Sequence, residues 1–451
     1  MRQFYTASDI RRAAADGHRE LLIHEQDVVT DEALDLAERL HVDIRRSAVD
    51  ETSDNRSLPE SAARLAPTTR ASRESDWEAI RRREFPDLTR AHLSNCSQGA
   101  QPARARESIA DFVRNWQEEG MDWEYWLGVV EGAKSAFARL IHAETKDIAV
   151  SFSVSSLVGT VASALDYQGM RNKVVTTEID FPTVPNIWYA HEKFGAVVDL
   201  IPVASDGTIA LESYERHIDG KTVITSVPYV YYMNGFKQDL AAIARIAHAS
   251  GSLLLVDAYQ GLGSAPIDVR AQDIDILVSG NLKYLLGVPG IAFAYTKPDI
   301  VEKLTPASTG WFGQVDPFAF DYHLQYALDG RRLETGTPPA LAAFPSKVSM
   351  EMLLDIGLDR IRERTDALSA FCIERIKKTK LELVSDFDLA HKAPNTAVRV
   401  PRSHDLEMEL RKHNIVCTSR GDVLRIAHHF YNTEEELDRT VQMIEQLVRG
   451  A

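Results

Sequence analysis

Ser252-Leu253-Leu254-Leu255-Val256-Asp257-Ala258-Tyr259-Gln260 reads as a buried apolar strand that ends in a carboxylate and then an amide. A continuous Leu/Val run of this length fits a strand of a parallel sheet, covered on both faces. A second apolar strand lies in Asp275-Ile276-Leu277-Val278-Ser279-Gly280-Asn281-Leu282-Lys283-Tyr284-Leu285-Leu286-Gly287. It delivers a lysine into a glycine-bounded turn, 26 positions after Asp257. Both polar residues fall at strand carboxyl ends, the edge where open α/β sheets bind ligands.

The surrounding chain has the texture of such a sheet. Val150-Ser151-Phe152-Ser153 reads as a strand end, and further strands are predicted at 174–177, 197–203 and 223–227. A helix is predicted after Asp122-Trp123-Glu124-Tyr125-Trp126, running to about His142, and further helices at 157–165, 185–194 and 240–249. Strands alternating with helices of this length imply parallel βαβ crossovers. Helices dominate again after Pro339, and Leu424-Arg425-Ile426-Ala427 reads as a strand of a smaller α+β part. Near the N-terminus, Thr6-Ala7-Ser8-Asp9 can cap a helix that Gly17 ends. A strand at 21–23, a helix begun at Thr30 and running to Leu40, and a strand at 42–44 follow. The expected organisation is a small N-terminal α/β appendage (1–45), a flexible linker rich in Arg, Ser, Asp, Thr and Pro (46–75), a large α/β domain (76–345) and a small C-terminal domain (346–451).

Composition narrows the function classes. The chain has 451 residues, 44% hydrophobic and 26% charged, as in ordinary globular proteins. Its net charge of -15 argues against an extended nucleic-acid footprint and against anionic membrane surfaces. No apolar stretch approaches membrane-spanning length, and the charged start lacks a signal-peptide core. Cys96, Cys372 and Cys417 are too few and too scattered for a disulfide framework or a zinc site, which fits a reducing cytoplasm and predicts no bound metal.

The residue types at the sheet edge point to one cofactor chemistry. A lysine for an aldehyde and an aspartate for a pyridinium nitrogen are what pyridoxal 5'-phosphate requires. Asp257 can equally cap the next helix, and Gln260 is either a ligand to the cofactor's phenolic oxygen or a surface residue. Lys283 sits among Leu282, Tyr284 and Leu285, an unusual setting for a surface lysine. Residues 150–157 form a strand, a small-residue turn and a helix start, which suits an anion or simple serine capping. Phe181, after another strand, can stack on a flat ring or fill a core. Arg425 is one arginine in an otherwise apolar strand; a buried arginine needs an anion, either a substrate carboxylate or a structural partner.

In this order, these segments resemble the fold-type I pyridoxal-phosphate enzymes of the class V aminotransferase superfamily, with its kynureninases, cysteine desulfurases and isopenicillin epimerase-like proteins. The resemblance runs from about residue 85 to 449. It rests on 256–260, the lysine turn with Gly287-Val288-Pro289-Gly290, Leu333-Glu334-Thr335-Gly336-Thr337-Pro338, and Arg425 followed by His429-Phe430-Tyr431-Asn432-Thr433. It implies a large, mostly parallel seven-stranded sheet domain with a small C-terminal α+β domain. It implies Lys283 as the Schiff-base residue, Asp257 on the ring nitrogen, Gln260 on the phenolic oxygen and Phe181 on the ring face. Val154 and Ser155 match the phosphate turn. Trp311 and Thr337 match segments that complete the phosphate site, typically from the partner of a homodimer. Arg425 matches the residue that holds the substrate carboxylate.

Some positions depart from the pattern. Relatives place a phosphate-binding serine where this chain has Gly280, so Ser279 or Asn281 is expected to substitute. Tyr231 occupies the place of a kynureninase asparagine and is the candidate for the substrate pocket. Cys417 lies too near Arg425 to fit a desulfurase's nucleophile loop. Gly261-Leu262-Gly263 looks like a dinucleotide loop but lacks the third glycine. The expected activity is transamination of an α-amino acid. A lyase outcome (β-elimination or side-chain cleavage) is the close alternative, and a non-catalytic ligand-binding or assembly module is the alternative of another class.

Overall fold

The computed structural model describes residues 4–5, 10, 14, 18–24, 28–29, 31–47, 70–385 and 388–449. Chain contacts divide it into two units, Met1–Thr68 and Thr69–Ala451.

In the first unit, Glu20–His24 pairs in parallel with Asp43–Ser47, and the helix Asp31–Leu40 joins this layer. A short strand, Phe4–Tyr5, pairs in parallel with Val28–Val29. Ile10, Ala37 and Val42 form a small core. The capping run at 6–9, the stop at Gly17, the helix start at Thr30 and most of the expected linker lie outside the described residues. The second unit begins with the helix Arg70–Glu84, which takes in the last residues of the stretch read as linker.

The second unit is built on a seven-stranded sheet. Its strands are β1 (Ile148–Ser151), β2 (Lys173–Thr177), β3 (Val197–Ile201), β4 (Thr222–Pro228), β5 (Leu253–Asp257), β6 (Ile276–Gly280) and β7 (Ala292–Thr296). The spatial order is β1-β7-β6-β5-β4-β2-β3. All pairings are parallel except those of β7, which runs antiparallel to both β6 and β1. β7 has no counterpart among the strands predicted from sequence. Alternate residues of the central strands feed two cores. Leu254, Val256 and Leu277 pack on one side, and Leu255, Ile276 and Val278 on the other. Burial on both faces is why these strands read as unbroken apolar runs.

A second, antiparallel sheet holds β8 (Glu382–Leu383), β9 (Asn395–Arg399), β10 (Thr418–Arg420) and β11 (Val423–Ala427), in the order β8-β9-β11-β10. The helices Leu358–Lys377, Ser403–Lys412 and Glu434–Arg449 supply the rest of its core. A segment from far upstream joins that core. Ala91–His92 pairs in parallel with Ile415–Val416, and Ser94 bridges Ala427. The chain then continues into residues 95–99, beside the lysine turn.

Candidate active site

The carboxyl ends of β1, β5 and β6 converge on a cavity of about 270 Å³. Its lining includes Lys283, Asp257, Gln260, Phe181, Val154 and Ser155. Six residues separated by up to 129 positions in sequence (154 to 283) therefore meet at one sheet edge.

The Lys283 amine has no carboxylate or hydrogen-bond partner among the described residues. Its Nζ stands 4.1 Å from the Tyr259 ring centroid and 5.6 Å from that of Phe181. Loss of solvent lowers its pKa to about 8, against the opposing charge of Asp257. The turn that carries it is strained: Leu286 adopts φ 59°, a left-handed conformation that costs a branched residue about 1–2 kcal/mol. Hydrogen bonds hold it there, from Leu286 N–H to Lys283 O at 3.1 Å and from Ser349 Oγ to Leu286 O at 3.0 Å. Gly263 has φ 100°, and a Cβ there would lie 2.3 Å from Tyr284 O. Of the dinucleotide-like glycines, Gly263 thus serves close packing against the lysine turn and Gly261 against Tyr229.

Asp257 accepts the Tyr259 N–H at 2.8 Å through Oδ1. A second carboxyl, Asp180, is buried nearby; its Oδ1 accepts only the Phe181 N–H at 3.1 Å, and Oδ2 has no partner. Burial and the Asp257 charge push Asp180 well above the carboxylate range. Asp257 is raised too, by burial, but the Tyr259 N–H and the Lys283 charge oppose this. Asp180 is therefore the member that takes a proton, and Asp257 the one that keeps its charge.

At the end of β1, Ser153 caps the helix Val154–Ser163 by accepting the Ser156 N–H at 3.1 Å. Ser155 Oγ lies 3.0 Å from Thr183 Oγ1, and Thr183 also lines the cavity. Free N–H groups at this helix start, with three hydroxyl-bearing residues beside them, suit a phosphate.

Ser279 and Asn281 do not reach the cavity. Gly280 does, and strand alternation turns its neighbours away. Ser279 Oγ donates to Gly280 O at 3.1 Å, and Asn281 is buried against Gly287 with both side-chain polar atoms unpartnered. A Cβ on Gly280 would lie 2.2 Å from the Tyr259 ring and 2.5 Å from its hydroxyl. Tyr259 thus occupies the space that a side chain at 280 would take. Tyr231 is also absent from the lining; its neighbour Tyr232 is present, edge-on to Phe181 with ring centroids 5.5 Å apart. Trp311 sits in an aromatic cluster with Trp123, Phe312, Phe318 and Phe320, and Thr337 is exposed; neither lines this cavity. Glu334 ties their loop to β1, accepting the Val150 N–H at 3.1 Å and lying 3.3 Å from the buried Lys134 amine.

Arg425 on β11 is 1% exposed and lies just behind the lining. Its Nη1 donates to Tyr232 O at 3.0 Å, and its Nη2 to Ser97 Oγ and Thr418 Oγ1, each at 3.0 Å. Asn395 Nδ2 donates to the same Tyr232 carbonyl at 3.2 Å. Gln260 Nε2 donates to Cys96 O at 3.0 Å, and Gly99 N–H to Leu282 O at 2.9 Å. Residues 96–99 therefore touch three elements of the site. Sequence reading missed this segment because nothing local signals a partner more than 300 positions away.

A lysine amine, a buried aspartate, a phenylalanine in the cavity wall and a capped helix start fit pyridoxal phosphate. On a seven-stranded sheet of this order, they define a fold-type I enzyme that uses this cofactor. The chain belongs to the aminotransferase class-V family, whose model matches residues 111–440. It is 37% identical over 364 residues to the uncharacterized aminotransferase YcbU of Bacillus subtilis, covering 80% of this chain and 96% of that one. A probable cysteine desulfurase of Halalkalibacterium halodurans is 25% identical over 382 residues, covering 79% of this chain and 92% of the relative. The fold matches the apo cysteine desulfurase of Thermococcus onnurineus NA1 with a TM-score of 0.75 at 21% identity, over 83% of this chain and 98% of that one. The protein is a pyridoxal-phosphate enzyme of the transaminase or lyase type. Among the described residues, no helix is long and apolar enough to cross a membrane, and no group of side chains could hold a metal ion.

Proposed function

We propose that the protein is an aminotransferase for an α-amino acid, with Lys283 as the residue that carries pyridoxal phosphate and moves a proton at the substrate α-carbon. The observation that carries this reading is the Lys283 amine, unpaired, lowered to about 8 and facing the same cavity as Asp257. When bound, the cofactor supplies an aldehyde for exchange with the substrate amine and a ring that draws electrons from the α-carbon. Asp257 would hold the charge that keeps the ring nitrogen protonated, and Gln260 would meet the phenolic oxygen. Phe181 would cover the ring face. The N–H groups of Val154 and Ser155, with the Tyr259 hydroxyl near Gly280, would receive the phosphate. Arg425 receives the substrate carboxylate and so orients the α-carbon bond that breaks. A neutral amine at Lys283 serves as the base, and a pKa near 8 leaves a usable fraction of it at neutral pH.

A persulfide-forming lyase fits less well. Cys417 and Cys372 are wholly buried in the core of the small sheet, and burial pushes both thiols up, Cys372 to about 12. A thiol held in that state is a poor nucleophile. A homodimer is part of the reading: Phe318, Phe320 and Tyr322 are exposed beside Trp311, an apolar surface suited to a second copy.

The test is a panel of amino acids offered to the holoenzyme with and without a keto-acid acceptor. Turnover that requires the acceptor, with the amino group recovered on it, is the expected result. Release of ammonia or a cleaved side chain without any acceptor would replace transamination with the lyase reading.

A further inference from the structure

Arg425 is held in an unusual manner for a buried cation. The chain carries a surplus of acidic side chains, with a net charge of -15, yet no carboxylate pairs with Arg425 among the described residues. Its three acceptors are a backbone carbonyl and two hydroxyls, those of Tyr232, Ser97 and Thr418. The hydroxyls also touch each other, Ser97 Oγ donating to Thr418 Oγ1 at 3.2 Å. The guanidinium Nε has no partner.

Neutral acceptors fix the direction of the guanidinium without cancelling its charge. An internal carboxylate would bind it more strongly and would compete with any anion arriving from the cavity. A hydroxyl can also turn, accepting from the guanidinium in one state and donating to a carboxylate in another. The two hydroxyls come from opposite ends of the chain. Thr418 is the direct cross-strand neighbour of Arg425. Ser97 follows Cys96, whose carbonyl is bonded to the cavity residue Gln260.

We propose that Ser97 and Thr418 are positioning residues that hold Arg425 for an α-carboxylate and then turn their hydroxyls toward it. The proposal rests on the assignment of an amino-acid substrate to this site. It makes residues 95–99 part of the substrate site, although they belong to neither strand of the lysine–aspartate pair.

The experiment titrates the visible absorption of the holoenzyme with the protein amino acids, and then with the amide of whichever binds most tightly. Ser97→Ala and Thr418→Val are each expected to weaken the amino acid about tenfold, as befits loss of a hydrogen bond to a charged group. Binding of the amide is expected to change little, and Ser97→Thr to restore the amino acid. Ser97→Asp supplies an internal carboxylate; it is expected to fold, to load the cofactor and to lose amino-acid binding. Undiminished binding in both Ser97→Ala and Ser97→Asp would overturn the proposal, as would equal losses for acid and amide. Should no amino acid alter the wild-type spectrum, the substrate assignment itself fails, an outcome separate from failure of the hydroxyl pair.

Discussion

Lys283 and Arg425 come from different sheets of one unit, and neither pairs with a carboxylate among the described residues, yet their surroundings treat the two charges in opposite ways. Around Lys283 there are ring faces and, among the described residues, no hydrogen-bond partner for the amine, and loss of solvent lowers its pKa to about 8. Around Arg425 there are three neutral oxygen acceptors, which fix the direction of its guanidinium. A parallel-sheet edge thus presents an amine stripped of solvent, and an antiparallel strand presents a guanidinium held by oxygens. The proposed chemistry at an α-carbon uses one of each: a group to exchange a proton and a group to hold a carboxylate.

The comparison can be broken at several points, beginning with the largest effect. Lys283→Ala is expected to abolish turnover while leaving the fold intact, and borohydride treatment of the native holoenzyme should fix the cofactor on the peptide that contains residue 283. Label found on another lysine would sink the assignment. Arg425→Ala is expected to lower kcat/KM for a carboxylate substrate about a hundredfold, of the order of 3 kcal/mol, which is the scale for removing one partner of a buried charged contact. An unaltered kcat/KM would remove Arg425 from the substrate site.

The third effect concerns pH. Protonated Lys283 cannot attack an aldehyde, so loading of the apo-protein should quicken about tenfold per pH unit up to about 8 and level off above it. Spectroscopic loading rates between pH 6 and 10 test this; a rise that continues unbroken toward 10 would mean that burial does not lower the lysine. The smallest effect is that of Gly280→Ala, whose Cβ would meet the Tyr259 ring at 2.2 Å. Overpacking of this kind costs about 1–3 kcal/mol, to be seen as a lowered Tm together with weaker cofactor retention. A wild-type Tm and wild-type retention would show that the tyrosine does not fill that space.

What could be read in the sequence follows from periodicity and its limits. Asp257 and Lys283 were legible because apolar strands covered on both faces end abruptly in a polar residue. Val154, Ser155, Phe181 and Gln260 were legible for a similar reason, each lying just past a strand end and each reaching the cavity. Ser279 and Asn281, expected to stand in for the serine that relatives carry at Gly280, do not line the cavity, since a strand's side chains alternate and Gly280 faces inward. Tyr231 lies in a loop with no period to orient it, and there its neighbour Tyr232 lines the cavity instead. The strand Ala292–Thr296 was missed altogether, because five mostly apolar residues are too short a run for periodicity to tell strand from helix. The pairing of Ala91–His92 with Ile415–Val416 was hidden because a two-residue strand carries no pattern at all.

The carbonyl of Tyr232 has a mechanical consequence. It receives Arg425 and Asn395 from adjacent strands of the small sheet, while the ring of the same residue forms cavity wall. Rocking of that sheet must either stretch both bonds or drag the wall along. Ligand occupancy and sheet tilt are then coupled thermodynamically, each biasing the other by an equal free energy.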